Sequence, residues 1–281
     1  MVARMLISSV VFSAALMLSG CGGGAPGGNG GSGSALPPAN TDKAPAGGNT
    51  TPPKQEQGGG PAKAEGTGIK GVVKLKGEAP AVKMVALQDF QQQQCQCKEV
   101  PSDVVSVDKD SKGIQWCVIR LDGVKLKDPE KPFEPPTIDQ KGCRFLPHAV
   151  IVAPGGTLTL LNPDKIPHTF HTIPQDLTNP SENVMVMEEK SSMAAKLFMS
   201  PEIVLVDCAA HPWMKAVVAV HDPRAAAISG KDGSFAIKDL PPGKYKGTVY
   251  HSELGEKKIE VEVKDGQMTD LGTIEYEAKG K

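Results

Sequence analysis

Apolar and polar residues alternate with a period of two along much of the chain after residue 67, the mark of strands with one buried face. The clearest case is residues 257–263, KKIEVEV, where Ile259, Val261 and Val263 alternate with Glu260 and Glu262. Strands are expected at 69–76, 104–107 and 114–121, then at 148–152, 157–161, 168–173, 196–199, 203–208 and 216–221. A last group is expected at 234–237, 245–251, 258–263 and 273–276. Turn residues separate them: residues 108–113, Ala153-Pro154-Gly155-Gly156, Asn162-Pro163-Asp164, Gly230-Lys231-Asp232-Gly233, Leu240-Pro241-Pro242-Gly243 and Lys264-Asp265-Gly266. Residues 125–136, charged and Pro-rich, and the polar residues 174–183 read as loops, while the Gln run at 91–94 shows no pattern. Short strands at regular spacing predict an all-β chain, an antiparallel sandwich or barrel and not a helical or βαβ fold.

The pattern is absent before residue 67. Residues 1–20 read as an export signal, with Arg4 ahead of an apolar run at 5–18 that is short for a membrane span. It ends in Leu18-Ser19-Gly20-Cys21, which resembles the lipobox of bacterial lipoproteins. The resemblance implies cleavage before Cys21, lipidation of its sulfur and attachment to a membrane. Gly22 follows, not the Asp that resembles an inner-membrane retention signal, so the expected location is the cell envelope, on the outer membrane facing the periplasm. Residues 21–66 are mainly Gly, Pro, Ala, Ser, Asn and Thr and cannot bury enough surface to offset their ordering entropy. As a Gly-rich coil they would span roughly 35–40 Å, a tether for the folded part.

Composition adds exclusions. With 31 basic and 32 acidic residues, net charge −1 and no basic cluster, nothing points to nucleic acid. Aromatic residues are 4% of the chain, while Gly (31) and Pro (24) are abundant, which suits turns and a linker.

Candidate chemistry concentrates in residues 206–220, VDCAAHPWMKAVVAV, where Cys208, His211 and Met214 are spaced three apart. A thiolate, an imidazole and a thioether suit a trigonal His2Cys copper site with a weak axial Met better than zinc, whose structural sites want four Cys or His ligands. The second imidazole must come from elsewhere, and His168 in LLNPDKIPHTFHTI is the best candidate. His171 would face the opposite side of the same strand, in a core or surface role.

Cys208-Ala209-Ala210-His211-Pro212-Trp213-Met214 resembles the ligand loop of amicyanin and related cupredoxins, and Pro167-His168-Thr169-Phe170-His171 resembles the segment with their first His ligand. The resemblance implies that His168, Cys208, His211 and Met214 hold one type 1 copper per chain in a Greek-key β-sandwich, with an exposed His211 as electron exit. Thr169 stands where the family usually has an Asn that ties the two ligand loops together. Residues 226–247 resemble the carboxypeptidase regulatory-like, transthyretin-like β-sandwich. The domain expectation is therefore 1–20 signal, 21–66 linker, 67–224 copper-binding domain and 225–281 small β-domain. A segment from Gly142 to His148 and this tail together resemble a group of exported cupredoxin-like proteins.

Four cysteines are left, Cys95, Cys97, Cys117 and Cys143, and export permits disulfides in three connectivities. Cys97 with Cys143 and Cys95 with Cys117 is the expected pairing. His148, His221 and His251 lack partner spacing and read as structural, with His148 close to Cys143 as a lesser metal candidate. Met185, Met187, Met193 and Met199 form a loose Met-rich segment that reads as packing or as a Cu(I)-binding patch. The expected function is one-electron transfer between redox protein partners that the sequence does not name, with no small-molecule substrate and no enzyme activity. The alternatives are copper storage, delivery or sensing, and a structural module with a vestigial site.

Overall fold

The computed structural model describes residues 66–102, 105–126, 133–188, 190–195 and 198–278, with the side chains of 190–195 left out. The signal, the linker and Cys21 lie outside these residues, as does the Met193 side chain. The chain is all-β: among the described residues the helical elements are Asp89–Cys95 and a short 3-10 turn, Pro223–Ala225. Neither is long and apolar enough to cross a membrane.

Apart from a two-stranded ribbon of Met84–Ala86 and Glu99–Pro101, the described strands form two sandwiches. In the first, a five-stranded sheet runs in the order Asn183–Val186, His168–Pro174, Glu202–Asp207, Lys215–Val220, Ala149–Val152. It faces a four-stranded sheet of Lys190–Ala195, Leu158–Asn162, Thr137–Gln140 and Phe145–Leu146. Alternation along each strand builds the core between them. In His168–Pro174 the residues His168, Phe170 and Thr172 point inward, and Phe170 meets Phe145 edge-to-face at 5.8 Å. Half of the expected strand at 196–199 lies outside the described residues; a strand precedes it at Lys190–Ala195, and the edge strand Asn183–Val186 begins at the last residue of the expected loop at 174–183. The pairing is not purely antiparallel. Ala149–Val152 runs parallel to Lys215–Val220, and Thr137–Gln140 parallel to Leu158–Asn162, because long connections return these strands in the same direction.

The second sandwich is not the C-terminal piece expected from residue 225 onward. Its three-stranded sheet places Gly68–Lys76 between Ser234–Lys238 and Met268–Glu277, and its four-stranded sheet places Val118–Leu121 between Ala226–Ile228 and Gly243–His251. Ile69, Val73, Leu75, Ile119 and Leu121 therefore share a core with Phe235, Val249 and Val261. The expected boundary at 224/225 gives way to an insertion, in which the first sandwich interrupts the second. Gly68 lets this pairing close, since a Cβ there would run into the Ile237 backbone carbonyl oxygen. The expected strand at 114–121 begins only at Val118, because Trp116 adopts a left-handed conformation (φ 70) and Ser229 Oγ binds both Cys117 N–H and Ile114 C=O. A third cluster, Val118, Ala149, Ile203, Val217 and Ala219, with Tyr250 and Trp116 at its margin, joins the outer face of the five-stranded sheet to the second sandwich.

The disulfide links Cys95 to Cys143, Cα–Cα 5.3 Å, and corrects the expected pairing of Cys97 with Cys143. The helix Asp89–Cys95, not visible in the Gln-rich pattern, turns Cys95 into the core. Gln96 then adopts a left-handed conformation (φ 55), and Cys97 is left free and half-buried. Cys117, expected to pair with Cys95, is buried in the core of the other sandwich, where burial pushes its thiol up to about 12.

His251 is buried, and burial with the charge of nearby His148 pushes its pKa down to about 4. Its Nδ1 accepts from Glu253 N–H at 3.2 Å, which requires an unprotonated nitrogen. Above pH 6.5 neither the folded nor the unfolded chain protonates this ring. Between pH 6.5 and 4 the unfolded chain takes the proton and the folded one does not, so stability falls as pH falls, by about 3 kcal/mol from this ring. Urea unfolding of wild type and His251→Gln at pH 7 and pH 4 is expected to show a smaller acid loss in the variant. Equal losses would mean that His251 is not held neutral.

Candidate metal centre

Cys208 directly follows the strand Glu202–Asp207, and Met214 directly precedes Lys215–Val220. The connection folds as two consecutive turns, His211 N–H to Cys208 C=O at 3.2 Å and Met214 N–H to His211 C=O at 2.8 Å. These two turns bring His211 back beside Cys208. His168 opens the neighbouring strand His168–Pro174, which pairs with Glu202–Asp207, and its inward register aims it at the same point.

The donors converge. His168 Nδ1 lies 3.2 Å from His211 Nδ1, and Cys208 Sγ lies 3.6 Å from His211 Nδ1. The ligand atoms of these three residues all lie within 4.8 Å of one another, and all three residues are buried. Met214 is fully buried in the same core cluster. His171 points the other way, half-exposed, with its Nδ1 3.0 Å from Asp207, so it takes the surface role.

Burial by itself would raise the Cys208 thiol, but hydrogen bonds with His168, His211 and Thr169 outweigh it and hold the pKa at about 5. The sulfur is thus a thiolate at neutral pH, the form that binds metals. Thr169 donates to it from both backbone N–H (3.4 Å) and hydroxyl (3.5 Å), while its hydroxyl oxygen accepts from Ala209 N–H at 2.8 Å. One hydroxyl therefore bridges the two ligand segments.

Two features escaped the sequence. Asp164, read there as a turn residue, holds His168 Nε2 at 3.0 Å and accepts from the consecutive N–H groups of Gly142 and Cys143, both at 2.8 Å. Gly142 (φ 62) and Cys143 (φ 52) both take left-handed conformations, which aim those two donors at one carboxylate. Burial pushes Asp164 up, but these three hydrogen bonds leave it below the usual carboxylate range. A carboxylate four residues before a ligand His was the available signal. The second feature is the cover over His211. The ring is 4% exposed, not the exposed exit expected from the sequence. Trp213 packs against it with centroids 5.2 Å apart and donates from Nε1 to Cys143 C=O at 3.1 Å, and Cys143 Sγ sits 3.9 Å from His211 Nε2. His148, the lesser metal candidate, does not join a donor group among the described residues.

No protein-family model matches the chain, and no curated protein does. Among solved structures it is similar to a copper-containing nitrite reductase from Thermus scotoductus, at 22% identity over 35% of this chain and 25% of that one, TM-score 0.28. It is similar to a methionine-to-alanine variant of amicyanin in the Cu(I) form, at 17% identity over 37% of this chain and 98% of that one, TM-score 0.28. A purple cupredoxin from Nitrosopumilus maritimus matches at 18% identity over 30% of this chain and 97% of that one, TM-score 0.25.

Proposed function

We propose that this chain binds one copper ion through His168 Nδ1, Cys208 Sγ and His211 Nδ1, with Met214 as a weak fourth donor, and carries single electrons between redox proteins. The observation that carries this reading is a thiolate and two imidazole nitrogens within 4.8 Å of one another, buried and held by two segments, the strand of His168 and the connection that carries Cys208 and His211. Bound there, copper supplies a one-electron Cu(I)/Cu(II) couple, and a buried, nearly filled donor set favours electron transfer over catalysis. The residues fit such an ion without rearranging their supports: Asp164 orients His168, and Thr169 ties Cys208 to the strand of His168. The electron exit in this reading is the half-buried Trp213 and exposed Pro212 beside His211. Lipid attachment at Cys21 to the bacterial envelope and the carboxypeptidase regulatory-like character of the second sandwich belong to the same proposal, on the sequence resemblances alone.

The test is the visible and EPR spectrum of the purified chain loaded with Cu(II). An intense blue to green band with narrow copper hyperfine splitting is expected. A faint band with ordinary splitting would overturn thiolate ligation. Asp164→Asn is expected to weaken copper affinity about 10–100-fold, the usual effect of losing an outer partner of a ligand His. Competition with a chromophoric chelator measures it, and an unchanged affinity would restrict Asp164 to capping the 142–143 turn.

A second reading, copper storage or delivery, is favoured by the exposed thioethers of Met185 (61%) and Met187 (45%) on and beside the edge strand that pairs with His168–Pro174. It predicts more than one Cu(I) per chain in the protein as isolated.

A further inference from the structure

His211 presents its two ring nitrogens to two different sulfur groups. Nδ1 faces the Cys208 thiolate at 3.6 Å, and Nε2 faces Cys143 Sγ at 3.9 Å. Cys143 is bonded to Cys95, and the ligand atoms of Cys95, Cys143 and His211 all lie within 4.8 Å of one another, at three buried residues. The function proposed above leaves the two sulfurs and His211 Nε2 unused. These groups are also well supported without the covalent bond. Cys143 is held by Asp164 at its N–H and by Trp213 at its carbonyl, and Cys95 packs in the core at the end of a helix.

We propose that the Cys95–Cys143 disulfide is a masked site for a second soft cation: once reduced by a dithiol, the two sulfurs and His211 Nε2 hold one further Cu(I). The reduction balances simply. The dithiol gives up two electrons and two protons, its own S–S bond forms, the Cys95–Cys143 bond breaks, and two thiols result. Cation binding then displaces the two thiol protons to solvent, and, with the first ion on Nδ1, the ring N–H proton as well, so that His211 bridges the two ions as an imidazolate. Two thiolates with one imidazole form a soft, three-donor set, which suits Cu(I) better than zinc with its demand for four ligands. The chain would thus bind a second copper only under reducing conditions, next to the first and through the same ring. The proposal rests on the copper reading above for the identity of the cation.

The experiment is a Cu(I) titration of the full chain against a chromophoric chelator, before and after dithiol treatment, with the dithiol removed under argon. The reduced chain is expected to hold one more Cu(I) than the oxidised chain. Cys143→Ser should lose that increment, and Cys97→Ser should keep it. No increment in the reduced wild type, or an increment that survives in Cys143→Ser, overturns the proposal. An oxidised chain that already holds the second ion overturns it too and points to the exposed methionines. An oxidised chain that holds none counts against the first copper site, while the increment still reads the second. A measurement on the wild type alone guards against a variant that fails to fold. Cu(I) should protect both Cys95 and Cys143 of the reduced chain from iodoacetamide, and alkylation of either at saturating Cu(I) would overturn the assignment.

Discussion

Cys208→Ser is expected to abolish the intense thiolate-to-copper absorption and to weaken copper binding by more than about 100-fold, beyond the usual cost of disturbing an outer partner. The sulfur is buried, and its surroundings stabilise the charged form: Thr169 donates to it twice, and His168 and His211 lie beside it. A serine hydroxyl would stay protonated there and offer only a neutral, hard oxygen. His171→Ala is the matched control, since His171 lies on the same strand as His168 and points away to Asp207. Its spectrum should be unchanged. A band that survives Cys208→Ser would remove the proposed centre altogether, and a band lost with His171→Ala would move the ligand assignment to the other face.

Cutting the Cys95–Cys143 disulfide is expected to cost about 4 kcal/mol of folding free energy. The two residues are 48 apart in sequence, and the chain-entropy relation for a closed loop of that length gives a value of about that size. The loop is unusual in its course. It leaves the first sandwich at Cys95, contributes Val118–Leu121 to the second, and returns at Thr137–Gln140, so the bond closes a path through both cores. Urea unfolding with and without a phosphine reductant, and of Cys95→Ser, measures the loss. Cys97→Ser, a half-buried free thiol, should stay within about 0.5 kcal/mol of wild type. The reverse ranking would restore the expected pairing of Cys97 with Cys143, and a loss under about 1 kcal/mol would mean that packing already restrains the loop.

Much of the candidate metal centre was legible because it is local. Cys208, His211 and Met214 lie on one connection between two paired strands, and two turns suffice to fold it, so spacing carries the arrangement. His168 was legible through the resemblance of its segment, while alternation showed only that His168 and His171 take opposite faces, whatever the strand pairs with. Asp164 was not, because its partners Gly142 and Cys143 are brought to it by a turn with two left-handed residues that no local pattern announces. The cover on His211 was missed for the same reason. It comes from Cys143 and Trp213, and only the packing of the 142–143 turn against the ligand loop brings them together.

By itself, then, the sequence determined that this is an all-β chain, where most of its strands run, and which donors share one loop, because side-chain alternation and close spacing are properties of a few consecutive residues. The tertiary structure decided that Gly68–Lys76 and Val118–Leu121 belong with the C-terminal strands and that the first sandwich is inserted between them. It also decided that Cys95 and not Cys97 bonds Cys143, and that His211 is covered. Each of these depends on which buried faces meet. An alternating strand states that it has an apolar face, but the face that covers it, here up to about two hundred residues away, is chosen by the summed burial of every strand at once.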